Sequence, residues 1–161
     1  PRDRHRSNQH RRRPRLTVTP ERLALGFDFG RRRIGVAVGG SATGRATPLT
    51  VVRCRDDGPD WQAIEALVET WQPNRLVVGL PYNDDGSESE MTRLARRFAG
   101  RLQARFRIPA ELKDERLSSR EAEDRLRRER ASGARRRRVR KEDVDMGAAA
   151  VILQGWLDDN C

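Results

Sequence analysis

The chain predicts an α/β fold, a mixed β-sheet with helices packed on its two faces. Two observations carry this. Three apolar, strand-like segments come first with no room for helices between them, and from residue 60 onward short apolar runs alternate with segments of helical period. The length of 161 residues suits one domain that buries roughly two-thirds of its unfolded surface.

Taken in order, Leu23-Ala24-Leu25-Gly26-Phe27 reads as a buried strand continuing to Phe29. Gly30-Arg31-Arg32 makes the tight connection of a hairpin, and residues 33–38 alternate as a second strand. After Gly39-Gly40-Ser41, Pro48 leads a third strand to Arg53, expected at a sheet edge because proline cannot donate to a ladder. Asp60 caps a helix to Trp71, with Trp61, Ile64, Leu67 and Val68 along one face. Residues 75–79 form a continuous apolar run, as in a strand buried on both faces. Turn formers fill Leu80 to Gly86, and Ser87 opens a helix with the stripe Met91, Leu94, Ala95, Phe98 and Leu102. A strand at 109–114 follows, then a charged helix from Ser118 or Ser119 to about Arg130, and a last helix from about Asp143 to Leu157. The sheet is therefore expected to hold five strands, three antiparallel and then parallel ones. Trp61, Trp71 and Trp156 fall at core positions, whereas Tyr82 sits on a loop where it could stack a base.

Net charge is +10, and its distribution says more than its sum. Residues 1–22 and 125–141 together carry +15, which leaves the rest of the chain at −5. Residues 1–22 read as a basic, disordered arm, residues 23–158 as the single folded domain, and 131–141 as a mobile basic segment within it. Two basic runs flanking an acidic centre point to a nucleic-acid partner. Two cysteines are too few for a disulfide framework or a thiolate metal site, which fits a cytoplasmic protein. No segment is long and apolar enough to span a membrane.

Three carboxylates then call for an explanation. Asp28 lies inside Phe27-Asp28-Phe29, where β propensity disfavours it, and Glu115 follows the 109–114 strand. Asp145 shares one helical face with Ala149, Ile152 and Trp156 and so points at the sheet. A buried carboxylate must find a partner, protonate, or bind a cation. Simpler readings exist for two of them: a first-turn acid favoured by the helix dipole for Asp145, and a surface ion pair with Arg116 for Glu115. Acids drawn from separate elements suit Mg²⁺ or Mn²⁺, one or two ions. Two such ions about 4 Å apart activate a water and neutralise the leaving oxygen of a phosphodiester. The only histidines, His5 and His10, fall in the arm, which disfavours zinc or histidine-based hydrolysis.

The string LGFDFGRRRIGVAVG resembles the opening motif of the YqgF (RuvX-type) family, D-x-G-x-K/R-R-I-G-V-A. VVGLPYNDDGSES is similar to that family's G-L-P-x-N-x-D-G loop, KDERLSSREAE to its D-E-R-L-S/T segment, and VDMGAAAVILQGWLD to its final helix. The four motifs occur in order across residues 23–158. The resemblance implies an RNase H-like fold related to Holliday-junction resolvases, metal-dependent nuclease activity, and maturation of pre-16S ribosomal RNA. It places the catalytic, metal-binding acids at Asp28, Glu115 and Asp145. Arg31 departs from the small or hydroxyl residue common after Gly30, and is expected to hold the scissile phosphate. Further contacts to nucleic acid are expected from Arg32, Arg33, Asn83, Arg116, Arg135, Arg136, Arg137, Arg138, Arg140 and Lys141. RNA, as pre-16S rRNA or a pre-ribosomal particle, is favoured over branched DNA, and a monomer or weak homodimer is expected. A junction resolvase or a non-catalytic ribosome-assembly protein are the rival readings.

Overall fold

The structure is a computed structural model that describes residues 22–115 and 140–160. The expected arm (save Arg22), the charged helix at 118–130, and Arg116 and Arg135 to Arg138 lie outside the described residues.

Six strands form one sheet: β1 (Leu23–Asp28), β2 (Arg33–Gly40), β3 (Ala46–Arg55), β4 (Gly58–Pro59), β5 (Arg75–Leu80) and β6 (Ala110–Asp114). Their order is β4-β3-β2-β1-β5-β6. β1 to β4 pair antiparallel in succession, and β1, β5 and β6 run parallel. The expected count of five is corrected to six, because β4 is too short to leave a period in the sequence. It pairs only with Cys54 and Arg55, so the outer side of Pro48 has no strand beside it. Pro48 sits opposite Ala37, where the β2–β3 register shifts, a position that tolerates a missing N–H.

Alternation along the central strands sorts the core into two layers. Leu25, Phe27, Ile34, Val36, Leu76 and Val78 face α1 (Trp61–Trp71) and α2 (Glu90–Phe106). Ala24, Ala37 and Val77 face α3 (Lys141–Asn160) and meet Ala149, Ile152, Leu153 and Trp156. Both faces are covered, which is why these strands read as unbroken apolar runs. The α3 side is lined by smaller residues, so that helix lies close to the sheet. Gly35 marks the closest approach: a Cβ there would stand 2.0 Å from the carbonyl oxygen of Asp145.

The helix starts differ in detail from expectation. Asp60 caps α1 as expected, accepting from the Ala63 amide at 3.2 Å. α2 starts at a capping box between Ser89 and Thr92, two residues beyond Ser87. Ser87 instead donates to Asp85 within the preceding turn. α3 begins at Lys141, and the acids of its first turn are Glu142 and Asp143. Buried Asp143 accepts from the Arg140 amide at 3.1 Å. Asp145 thus lies past the first turn, and the dipole explanation passes to Asp143.

Candidate active site

Parallel pairing of β1, β5 and β6 gathers their carboxyl ends at one edge of the sheet, where open α/β sheets place their ligands. Asp28 is the last residue of β1. Glu115 follows β6, and its amide donates to the Leu80 carbonyl at 3.0 Å, extending the β5–β6 ladder by one residue. β5 stands between the two acids, so their strands lie roughly 10 Å apart. Gly79 on β5 closes that distance by having no side chain. A Cβ there would come within 2.5 Å of both Glu115 Oε2 and Ile152 Cδ1. The Glu115 carboxyl therefore lies over Gly79 and reaches Asp28, with which it shares a hydrogen bond.

Gly79→Ala is accordingly expected to leave a folded protein, since both atoms it meets are ends of flexible side chains. It should displace Glu115 and reduce cleavage by about 100-fold or more, as misplaced catalytic groups do. Unchanged turnover in a steady-state assay of this variant would refute the placement of Glu115.

Burial is the largest influence on both carboxyls. Glu115 is pushed up to about 9, helped by the Asp28 charge, by their hydrogen bond and by Asp114. Asp28 is raised to about 6: burial lifts it, accepting from Glu115 draws it back, and the nearby charge of Asp145 adds to the rise. Burial thus favours a proton on this pair, and Glu115 is the more strongly raised of the two. Its Oε2 is buried, and no described residue donates to it. Two inward-facing acids held together by one proton form a place where a cation can substitute for that proton.

The donor set fits a hard divalent ion, since every donor is a carboxylate oxygen. Among the described residues, however, no three His, Cys, Asp or Glu side chains are gathered to hold a metal as they stand. Asp145 is engaged by Arg33, whose Nε donates to Asp145 Oδ2 at 2.9 Å, both side chains being only about one-fifth exposed. Asp28 and Glu115 would hold an ion, and Asp145 would join once Arg33 releases it. A bound ion supplies an activated water and neutralises charge on phosphate.

The expected basic contacts are distributed unevenly. Gly30, Arg31, Arg32, Arg33, Lys141 and Asp145 line a cleft of about 420 Å³ with Met91. Arg31, expected at the phosphate, pairs instead with Glu90 at 2.8 Å on the cleft's rim. Arg32 and Lys141 are exposed and form no ion pair among the described residues. Arg140 is exposed, and its amide serves the α3 cap. Asn83 gives its side-chain amide to Ser87 Oγ at 3.0 Å and so braces its own turn. Tyr82 accepts from Arg96 at 3.1 Å. Sequence reasoning missed Arg33 as the partner of Asp145 and Gly79 as the gap for Glu115. The glycine ending an apolar strand run was the one available signal for the second.

The strand order and the acids at the parallel strand ends define an RNase H-like α/β fold of the resolvase type. The chain belongs to the RuvX family, whose model, described as "Holliday junction resolvase", matches residues 22–159. It is 47% identical over 141 residues to a Pseudomonas paraeruginosa protein named "Putative pre-16S rRNA nuclease", covering 88% of this chain and 95% of that one. An Azotobacter vinelandii protein of the same name is 50% identical over 137 residues, covering 84% and 93%. Thermus thermophilus RuvC, solved with a Holliday junction substrate, shares the fold at 13% identity and a TM-score of 0.51, covering 86% of this chain and 96% of that one.

Proposed function

We propose that the protein is a divalent-metal-dependent nuclease that hydrolyses phosphodiester bonds in structured RNA, and that its task is processing the 5′ end of pre-16S rRNA. One observation carries the reading: Gly79 leaves room for the Glu115 carboxyl to lie over β5 beside Asp28 at the sheet edge, with a buried carboxyl oxygen to which no described residue donates. The names of the curated relatives support RNA as the substrate. Bare carboxylates would repel a phosphodiester, so the pair is productive only when a cation offsets its charge.

Within the cleft, Arg32 and Lys141 take the non-bridging phosphate oxygens. An arriving phosphate also offers Arg33 a new partner, which frees Asp145 to turn towards Asp28 and Glu115. Water attacks phosphorus as the bond to the 3′ oxygen breaks, that oxygen takes up a proton, and the product carries a 5′-phosphate.

Branched DNA is the second reading, favoured by the family description. It requires two sites in a symmetric dimer, because both strands of a junction are cut. The full chain incubated with a pre-16S fragment and with a four-way DNA junction, in Mg²⁺, Mn²⁺ or EDTA, separates the two. We expect RNA to be cut, and only with metal. Preferential junction cutting would replace this reading with the second, and no cleavage with either metal would leave an RNA-binding assembly protein.

A further inference from the structure

α2 carries four arginines at i, i+4 intervals, Arg93, Arg97, Arg101 and Arg105, and all four are exposed. Such a row forms one slanting ridge on a helix, with a rise of about 6 Å per step and about 18 Å in all. No carboxylate among the described residues pairs with any of them. Arg96, outside the row, shows the contrast, since Glu88 and Tyr82 engage it. Like charges at i, i+4 on a helix surface repel one another and destabilise the helix. The ridge therefore works against the helix that bears it unless an anion covers it.

Two of the guanidinium groups are held in place. Arg101 and Arg105 both stand over the Trp61 ring, 5.2 and 4.8 Å from its centre. Phe98 and Phe106 pack against the same indole. Cation–π contact thus fixes two cations side by side and reduces the ordering cost of binding. The ridge also starts near the basic cleft, because Met91 of α2 lines that cleft with Arg32, Arg33 and Asp145. Asp56 and Asp57 share a separate cleft with Arg97 and Arg101, and they would repel a phosphate on that side.

We propose that this ridge is a phosphate track, carrying the RNA backbone away from the cleft along α2. The proposal rests on the nuclease reading for its substrate class, and its occupant is the sugar–phosphate backbone. Guanidinium groups spaced along a rigid helix read charge and not base identity, so the track would add affinity without sequence preference.

The test uses the full chain in EDTA, which separates binding from cleavage. Two fluorescent single-stranded RNAs are titrated over a range of KCl, one spanning the cleft alone and one longer by the length of the ridge. For the longer RNA, R93Q/R97Q should lower the slope of log K against log salt by about 1.4, at about 0.7 for each lost contact, and weaken binding about tenfold or more. R101Q/R105Q should do the same, and the matching lysine pairs should retain the slope. Binding of the short RNA should not change in either variant. An unchanged slope, or equal losses on both RNAs, would overturn the track. Because Arg93 and Arg97 make no cation–π contact among the described residues, their variant stays informative even if loss of the Trp61 contacts unfolds the other. Failure of the wild type to cut with metal would sink the nuclease reading while leaving the slope measurement valid.

Discussion

Asp28→Asn is expected to lower metal-dependent cleavage by about 10³-fold or more and, at the same time, to make the metal-free protein more stable. The first effect follows from removing the anionic oxygens that would hold the ion. The second follows from the proton. Asp28 and Glu115 are raised in the folded state to about 6 and about 9, from 3.8 and 4.5. Between the lower and upper values the unfolded chain binds fewer protons than the native one. Stability from this pair is therefore full in acid and lost as pH climbs through 6 and on to 9. An amide in place of the Asp28 carboxyl would remove its buried charge and flatten that decline. We expect the melting temperature near neutral pH to rise by about 2–6 °C, consistent with roughly 1–2 kcal/mol in a domain of this size. Thermal melts from pH 5 to 9 in EDTA check this, beside a cleavage assay. A variant that melts earlier than wild type at pH 8 contradicts the account.

Gly35→Ala has the largest expected effect on stability. Its new methyl group would lie 2.0 Å from the carbonyl oxygen of Asp145, 2.4 Å from its carbonyl carbon and 3.1 Å from the Met146 nitrogen. All three are backbone atoms of α3, so no rotamer change relieves the contact. The helix must lift from β2 along a face that buries Ala149, Ile152, Leu153 and Trp156. Overpacking of a core typically costs 1–3 kcal/mol, and a backbone clash belongs at or above the top of that range, about 3 kcal/mol. The midpoint of urea unfolding should fall accordingly, and cleavage should fall in the surviving folded fraction because Asp145 moves with the helix. Wild-type stability in this variant would mean that α3 does not meet the sheet at Gly35.

The acids stood out in the sequence unevenly: Asp28 inside an apolar strand lacks an ordinary explanation, whereas Asp145 and Glu115 each had a simpler one. The two-sided burial of β1 and β5 was legible because it leaves unbroken apolar runs. Their partners were not legible. Arg31, Arg32 and Arg33 are equivalent as letters, yet one crosses to Glu90, one stays exposed, and one holds Asp145. Which does which depends on the hairpin's twist and on where α2 and α3 start. Gly79 could be seen as a strand end but not as the gap that lets Glu115 cross β5, because that role exists only after β6 pairs in register. The α2 arginines were visible at their spacing. They stand out only in the structure, where Arg101 and Arg105 lie over one indole.

The exchange of proton for cation is open to direct measurement. Mn²⁺ titrated calorimetrically into the metal-free protein, in two buffers of different ionisation enthalpy and at a pH between the two raised values, counts the protons released on binding. Displacement of the Glu115 proton predicts about one per binding event in the wild type, with far weaker binding and no release in Glu115→Gln. Binding without proton release in the wild type, or undiminished binding to Glu115→Gln, would contradict the assignment of this pair as the seat of the ion.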